Sequence, residues 1–356
     1  MATIVMAGGG TGGHVVPLLA VARELQSRGH QPVFIGTRTG FEAKLVPPAG
    51  FPLEFIEIGG LNRVGAARML RSLVQLPWSA GKVFWMLRRL RAAGVFSLGG
   101  YAAGPVVLAS LMQRLPIVVM EPNAMPGLTN RQIGRFVARA LLNFSDAARF
   151  FPRGKSEITG VPVRPEFFEI PPKKPEAKFT VLITGGSQGS RTLNEAARGS
   201  WSYIREAGLP VRFIHQTGTA AHEALAKKFT ESGMDGTVVP FINDMPAAFA
   251  QADLVICRAG AGAIAELAAA GKPSVLVPLP HAADQHQLRN AEAFANAGAA
   301  QLVLDAQMDG GRLFEEVSKF RSQPAELRKM GERAKKFAHP EAARRAAEVM
   351  EECAAH

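Results

Sequence analysis

The chain has 356 residues, enough for two domains of ordinary size, each with its own core. Hydrophobic residues make up 47% and charged residues 20%, a globular and not a disordered balance, and the 36 glycines and 24 prolines follow no collagen-like period. A net charge of +11 favours an anionic partner (nucleic acid, a membrane surface or a phosphorylated substrate), while two cysteines, Cys257 and Cys353, with no CxxC pair argue against a zinc site and point to a reducing compartment.

From the amino terminus the chain runs straight into a strand-like segment, with no charged region and cleavage site of a signal peptide, so it is expected to stay in the cytosol. No apolar stretch reaches the ~18 to 20 residues needed to span a bilayer. Residues 3–6, 32–36, 95–98 and 117–120 read as strands, separated by apolar-periodic stretches such as 16–27. A second series follows at 179–184, 211–215, 237–239, 254–257 and 274–277. Between the two lies a segment, 151–178, rich in proline and charge, which reads as the interdomain connection. Strands alternating with helices predict parallel βαβ units. The expected fold is therefore α/β, with two Rossmann-like domains, 1–162 and 163–339, whose parallel sheets face each other across a cleft.

Three glycine-bearing turns carry the candidate chemistry. The first, Gly-Gly-Gly-Thr-Gly-Gly-His at 8–14, lies between a strand and a helix, where glycines allow close backbone approach and the helix start offers free N–H groups. Gly8, Gly10 and Gly13 satisfy GxGxxG, yet the next strand ends Gly36-Thr37-Arg38 without the acid of a dinucleotide site. Arg38 could serve NADP instead, which keeps an oxidoreductase open. His14 stands at the helix start as a candidate general base, against the plainer reading of a capping or packing histidine.

The second turn, Gly-Gly-Ser-Gln-Gly-Ser at 185–190, is followed by Arg191 and Thr192 and so is not a Walker A sequence. It can cradle an anion, with Ser187 donating to a phosphate, or simply be a tight turn. The third runs from Cys257 to Glu266, another strand, glycine loop and helix. A carboxylate at Glu266, near the amino end of that helix, can accept from two vicinal ribose hydroxyls; stabilising the helix dipole is the ordinary alternative. The loop after the next strand gathers His281, Asp284, Gln285, His286 and Gln287, polar groups suited to a ligand rich in hydroxyls.

Residues 63–91 form a basic and aromatic stretch. Arg63, Arg68, Arg71, Lys82, Arg88, Arg89 and Arg91 occur there with no acid among them, interleaved with Trp78, Phe84, Trp85 and several leucines. That composition suits a surface helix on anionic lipid. It equally suits an amphipathic helix with Val83, Leu87 and Leu90 packed on the sheet and its arginines solvated, and the two readings are compatible if Trp78 and Trp85 stay outside. No RNA- or DNA-binding motif accompanies the charge, so nucleic acid is not expected as a partner.

Taken together, the blocks resemble one family across essentially the whole chain. They are Gly-Gly-Thr-Gly-Gly-His at 9–14, Leu-Gly-Gly-Tyr-Ala-Ala-Gly at 98–104, Glu-Pro-Asn-Ala-Met-Pro-Gly-Leu-Thr-Asn at 121–130, Gly-Val-Pro-Val-Arg at 160–164, Gly-Gly-Ser-Gln-Gly at 185–189 and Cys-Arg-Ala-Gly-Ala at 257–261. Their order is similar to that of the MurG family, bacterial N-acetylglucosaminyltransferases that convert lipid I to lipid II. The resemblance implies a GT-B fold, no metal and no cofactor, and UDP-N-acetylglucosamine as donor. It also implies that the segment 340–356 packs back on the first domain. Donor contacts are implied at Thr11, Gly12, Gly13, Asn123, Arg164, Ser187, Ile242, Ala261, Gly262, Ala263, Ile264, Ala265, Glu266 and Gln287, with the Ile242 backbone reading uracil and Glu266 the ribose. The acceptor, an undecaprenyl-diphosphate-linked N-acetylmuramyl pentapeptide, is expected near Gly99, Gly100 and Tyr101, at the cytoplasmic face of the plasma membrane. Many relatives have His-Glu-Gln-Asn where this chain has Met120-Glu121-Pro122-Asn123. Roles of that histidine and glutamine do not transfer, which leaves His14 as the base with Glu121 assisting. A UDP-sugar epimerase of the same fold, an NADP-dependent oxidoreductase and a non-catalytic sugar-nucleotide or lipid-binding module are the rivals.

Overall fold

Every residue from Ile4 to Ala7 is apolar, as a strand covered on both faces by helices requires, and β1 (Thr3–Gly8) sends Ile4 and Met6 into one core and Val5 and Ala7 into the other. These observations come from a computed structural model that describes residues 1–9, 12–58, 66–100, 102–173, 176–282 and 285–355; for residues 12 and 66–76 it describes the backbone alone. The chain divides into two compact units, Met1–Val163 with His339–His356, and Arg164–Ala338.

In the first unit β1 is followed by α1 (Gly12–Ser27), β2 (Gln31–Gly36), α2 (Glu42–Leu45), β3 (Leu53–Phe55) and α3 (Ala66–Arg89). Then come β4 (Ala92–Gly99), α4 (Ala103–Met112), β5 (Ile117–Glu121), α5 (Leu128–Ile133), β6 (Arg139–Leu142) and β7 (Ser156–Ile158). Among the described residues these strands make a parallel sheet in the order β3-β2-β1-β4-β5-β6-β7. One face is covered by Val15 and Leu18 of α1, the other by Val83 and Leu87 of α3 and Val106 of α4.

The second unit runs β8 (Phe179–Thr184), α6 (Arg191–Glu206), β9 (Val211–Gln216), α7 (Thr219–Ser232), β10 (Asp235–Val239) and α8 (Met245–Gln251). It continues with β11 (Leu254–Cys257), α9 (Ala261–Ala270), β12 (Ser274–Leu276), α10 (His286–Asn296), β13 (Gln301–Leu302), α11 (Gly310–Ser322) and α12 (Pro324–Lys335). Its sheet, also parallel, has the order β10-β9-β8-β11-β12-β13 among the described residues. Local chemistry sets the helix starts: Ser190, Asp244 and Asp309 each accept a backbone N–H of the first turn of α6, α8 and α11. Each such cap contributes about 1 kcal/mol. The last helix, α13 (Ala342–Ala354), belongs to the first unit, where Ala346, Val349 and Met350 join the core that holds Ile4 and Met6.

Both sheets reverse strand order once, between β1 and β4 and between β8 and β11, and in open α/β sheets ligands bind at the carboxyl ends beside such a reversal. Four short strands were absent from the sequence reading: β3, β6, β7 and β13. β7 also corrects the reading of 151–178 as a plain connection, because Ser156 to Ile158 pairs with β6 as the edge of the first sheet. Its three residues carry no apolar run, so the pairing partner and not the local pattern makes it a strand. Among the described residues no helix is long and apolar enough to cross a membrane.

Candidate active site

In the first unit the strand reversal places two glycine turns back to back. Gly99 and Gly100, after β4, both have positive φ (79° and 82°), and a Cβ at Gly100 would meet the carbonyl oxygen of Gly9 at 2.8 Å. The close approach therefore needs glycine. His14, half-buried in the first turn of α1, lies beside this contact, with Nδ1 3.3 Å from the Gly9 carbonyl. If Nδ1 carries the proton donated to that carbonyl, Nε2 is the basic nitrogen. Thr11 and Tyr101 lie outside the described residues, Gly12 opens α1, and Gly13 is exposed on its first turn.

Glu121 ends β5 and is 1% exposed. One carboxylate oxygen accepts from the Asn123 backbone N–H (2.9 Å) and from Asn123 Nδ2 (3.1 Å). The other accepts from the Gly127 N–H (3.1 Å) and Asn130 Nδ2 (2.9 Å). Burial raises its pKa and these four bonds oppose the rise. A carboxylate so engaged shapes the turn that presents Asn123. A second buried carboxylate, Glu42, accepts from the backbone and hydroxyl of Thr37 (2.8 Å each), and its oxygens would lie 2.7 Å from a Cβ on Gly9. Sequence reading missed it, because it follows β2 by six residues instead of ending the strand.

In the second unit the loop after β8 uses Gly186 and Gly189 at positive φ (82° and 74°). A Cβ on Gly189 would overlap the Thr217 carbonyl, and one on Gly218 would overlap that of Gln188, so this loop and the turn after β9 touch backbone to backbone. Ser187 stands exposed at the loop's tip. The expected base reader, Ile242, follows β10, and its N–H donates to Gln216 Oε1 at 2.8 Å.

Past β11, Arg258 pairs with Asp305 and donates to the Val277 carbonyl (3.1 Å), while Asn290 Nδ2 donates to the Ala259 carbonyl (3.3 Å). These bonds fix the turn from which α9 starts, with Ala261, Gly262 and Ala263 at its exposed or half-exposed beginning and Ile264 and Ala265 buried. Glu266 is half-buried on α9; burial raises its pKa to about 7, opposed by the positive charge of Arg164. Arg164 lies 5.1 Å over the Phe167 ring. Gln287, on the first turn of α10, accepts from the Leu279 N–H (3.0 Å) and so braces the polar loop; Asp284 lies outside the described residues. Cys257, buried at the end of β11, has its thiol pushed up to about 12 by burial and is not a nucleophile at neutral pH. Among the described residues no group of three or more His, Cys, Asp or Glu side chains is placed to hold a metal ion.

Residues 4–142 match the glycosyltransferase family 28 N-terminal domain and residues 180–346 the glycosyltransferase family 28 C-terminal domain. The chain is 58% identical over 353 residues, covering 99% of its length and 96% of the relative, to the UDP-N-acetylglucosamine--N-acetylmuramyl-(pentapeptide) pyrophosphoryl-undecaprenol N-acetylglucosamine transferase of Solibacter usitatus. Among solved structures, that of Acinetobacter baumannii MurG superposes with a TM-score of 0.84 at 30% identity, over 99% of this chain and 100% of that one. A UDP-GlcNAc 2-epimerase from Neisseria meningitidis also superposes (TM-score 0.68, 99% of its chain and 98% of this one), but at 12% identity it shares the fold alone. Two Rossmann-like units in this order make the fold GT-B, and the chain belongs to glycosyltransferase family 28 and, within it, to the MurG family.

Proposed function

We propose that the chain moves N-acetylglucosamine from UDP-N-acetylglucosamine to the C4 hydroxyl of undecaprenyl-diphosphate-linked N-acetylmuramyl pentapeptide, forming lipid II for peptidoglycan. The observation that carries this is the 58% identity to a transferase of that name, which runs through both units.

The reaction is a single inverting displacement. The acceptor oxygen attacks the anomeric carbon, its proton passes to Nε2 of His14, and the bond to the UDP oxygen breaks. The second unit, residues 164–338, binds the donor: the loop bearing Ser187 takes the diphosphate, Glu266 the ribose hydroxyls and Ile242 the base. Backbone N–H groups at the loop and at the start of α9, together with Arg164, meet the negative charge that grows on UDP. Asn123, held by Glu121, and Thr11, Gly12 and Gly13 complete the donor contacts. Gly99, Gly100 and Tyr101 border the acceptor, so the first unit, with α13, is the acceptor side. No metal or cofactor takes part; the cationic groups and dipoles supply the electrophilic help.

The enzyme works on the cytoplasmic face of the plasma membrane as a peripheral protein, and α3 is the contact. Its Trp78 and Trp85 are 71% and 69% exposed, while Val83 and Leu87 of the same helix are buried. Lys82, Arg88 and Arg89 share the exposed stretch; Arg63 lies outside the described residues. Nucleic acid is not a partner.

The test is transfer of label from UDP-N-acetylglucosamine to a short-chain lipid I analogue with EDTA present. A labelled lipid-linked disaccharide is expected. Conversion of the UDP-sugar itself without lipid product would replace the proposal with an epimerase, and activity only on adding back a divalent ion would end metal independence.

A further inference from the structure

Gln216 is the last residue of β9, 1% exposed, and no expectation from sequence attaches to it. Its side-chain amide makes three hydrogen bonds. Nε2 donates to the Gly186 carbonyl (2.8 Å) and to Thr184 Oγ1 (3.1 Å), and Oε1 accepts from the Ile242 N–H (2.8 Å). Thr184 Oγ1 in turn accepts from the Gly186 N–H at 3.2 Å. One buried amide thus ties the loop after β8 to the loop after β10, with a different atom for each. Because strand residues alternate faces, His215 works on the opposite side of β9. Its ring is 2.9 Å from Asn194 Oδ1, and Asn194 Nδ2 donates to the Thr217 carbonyl (3.0 Å), against which Gly189 packs. Burial lowers the His215 pKa to about 4, so at neutral pH the ring is uncharged and Nε2 carries the proton toward Asn194. The end of β9 therefore braces the Gly185–Gly189 loop from both faces.

We infer that Gln216 is a positioning residue that couples base recognition at Ile242 to diphosphate binding at the loop containing Gly186 and Ser187. The inference rests on the donor site assigned to this unit. With that site, a uracil seated against Ile242 and a diphosphate seated on the loop each act on a bond of the same amide. Removing the amide leaves the Ile242 N–H without its acceptor and the Gly186 carbonyl with only the Gly189 N–H (2.9 Å), so the tie between the two loops is lost.

Calorimetric titration of the full-length protein with UDP and with uridine tests this. Gln216→Met, close in shape but without hydrogen bonds, is expected to weaken UDP by about tenfold or more and uridine by several-fold. Gln216→Glu at pH 8 keeps an acceptor for Ile242 but turns a carboxylate toward the Gly186 carbonyl. It is expected to weaken UDP by about tenfold while uridine stays within about twofold, and to approach wild type at pH 6 as the acid regains a donor proton. A residue that merely fills space would change neither the ratio of UDP to uridine affinity nor its pH dependence. Gln216→Glu weakening both ligands by one factor, or both variants binding like wild type, would overturn the coupling while leaving the donor site intact. Failure of the wild-type protein to bind UDP would overturn the donor site itself, and the coupling with it.

Discussion

The carboxylates of Glu121 and Glu266 sit in contrasting surroundings. Glu121 meets four donors of its own turn, whereas among the described residues it is the charge of Arg164, and not a hydrogen bond, that opposes the effect of burial on Glu266. With its pKa pushed up to about 7 by burial, Glu266 is protonated below neutral pH. In the proposed role, accepting from two ribose hydroxyls needs the carboxylate, so donor binding below that pH must release a proton. Donor affinity is expected to rise with pH and level off above about 7, falling up to about tenfold per unit below it. Titrations from pH 5.5 to about 8.5 check this, and Glu266→Gln should bind weakly with a flat profile. At His14, alanine should lower turnover by roughly 10²- to 10⁴-fold with little change in donor affinity. Near-wild-type turnover would remove it as the base. Neither Gln216 nor Glu42 was legible: a polar residue closing an apolar strand, or an acid on a short helix, looks like ordinary solvated surface until the fold buries it.

At the scale of elements, strands were legible where both faces are covered. β1, β8 and β11 read as continuous apolar runs because helices pack on either side. β3, β7 and β13 are two or three residues long and half-buried or exposed, so only their neighbours specify them. In α3 the sequence pattern divides the helix correctly. Val83 and Leu87 lie in the core, Leu90 is half-buried beyond the helix end, and both tryptophans project outward. The double change Trp78→Ser with Trp85→Ser should lower partition onto vesicles containing anionic lipid by about tenfold or more. Its unfolding free energy should move by no more than about 0.5 kcal/mol per site, since nothing buried is altered. Unchanged partition in a sedimentation assay would take the membrane role away from α3.

At the scale of the molecule, the chain returns to its first unit through α13. Met350 is fully buried, and the space it fills is bounded by Gly94, where a Cβ would overlap the Met350 methyl. Around it, Arg28 bonds Glu348 and Glu351, and Arg345 bonds Glu157. These pairs are partly exposed and worth little singly; the apolar contact does most of the stabilising. Met350→Ala should therefore destabilise the first unit by about 2 to 5 kcal/mol in denaturant unfolding. A change below about 0.5 kcal/mol would mean that α13 is dispensable to that core.

Sequence by itself determined the alternating α/β pattern and the glycine turns, because strand periodicity and positive φ leave local marks. Tertiary structure decided which polar groups are buried and with whom. Glu121 became a turn organiser, Gln216 a link between two loops and 156–158 an edge strand. Gln216 and the edge strand depend on partners that the sheet brings from 14 or more residues away, and Glu121 on the fold of its own turn; hydrogen-bond satisfaction of either kind leaves no periodic trace in sequence.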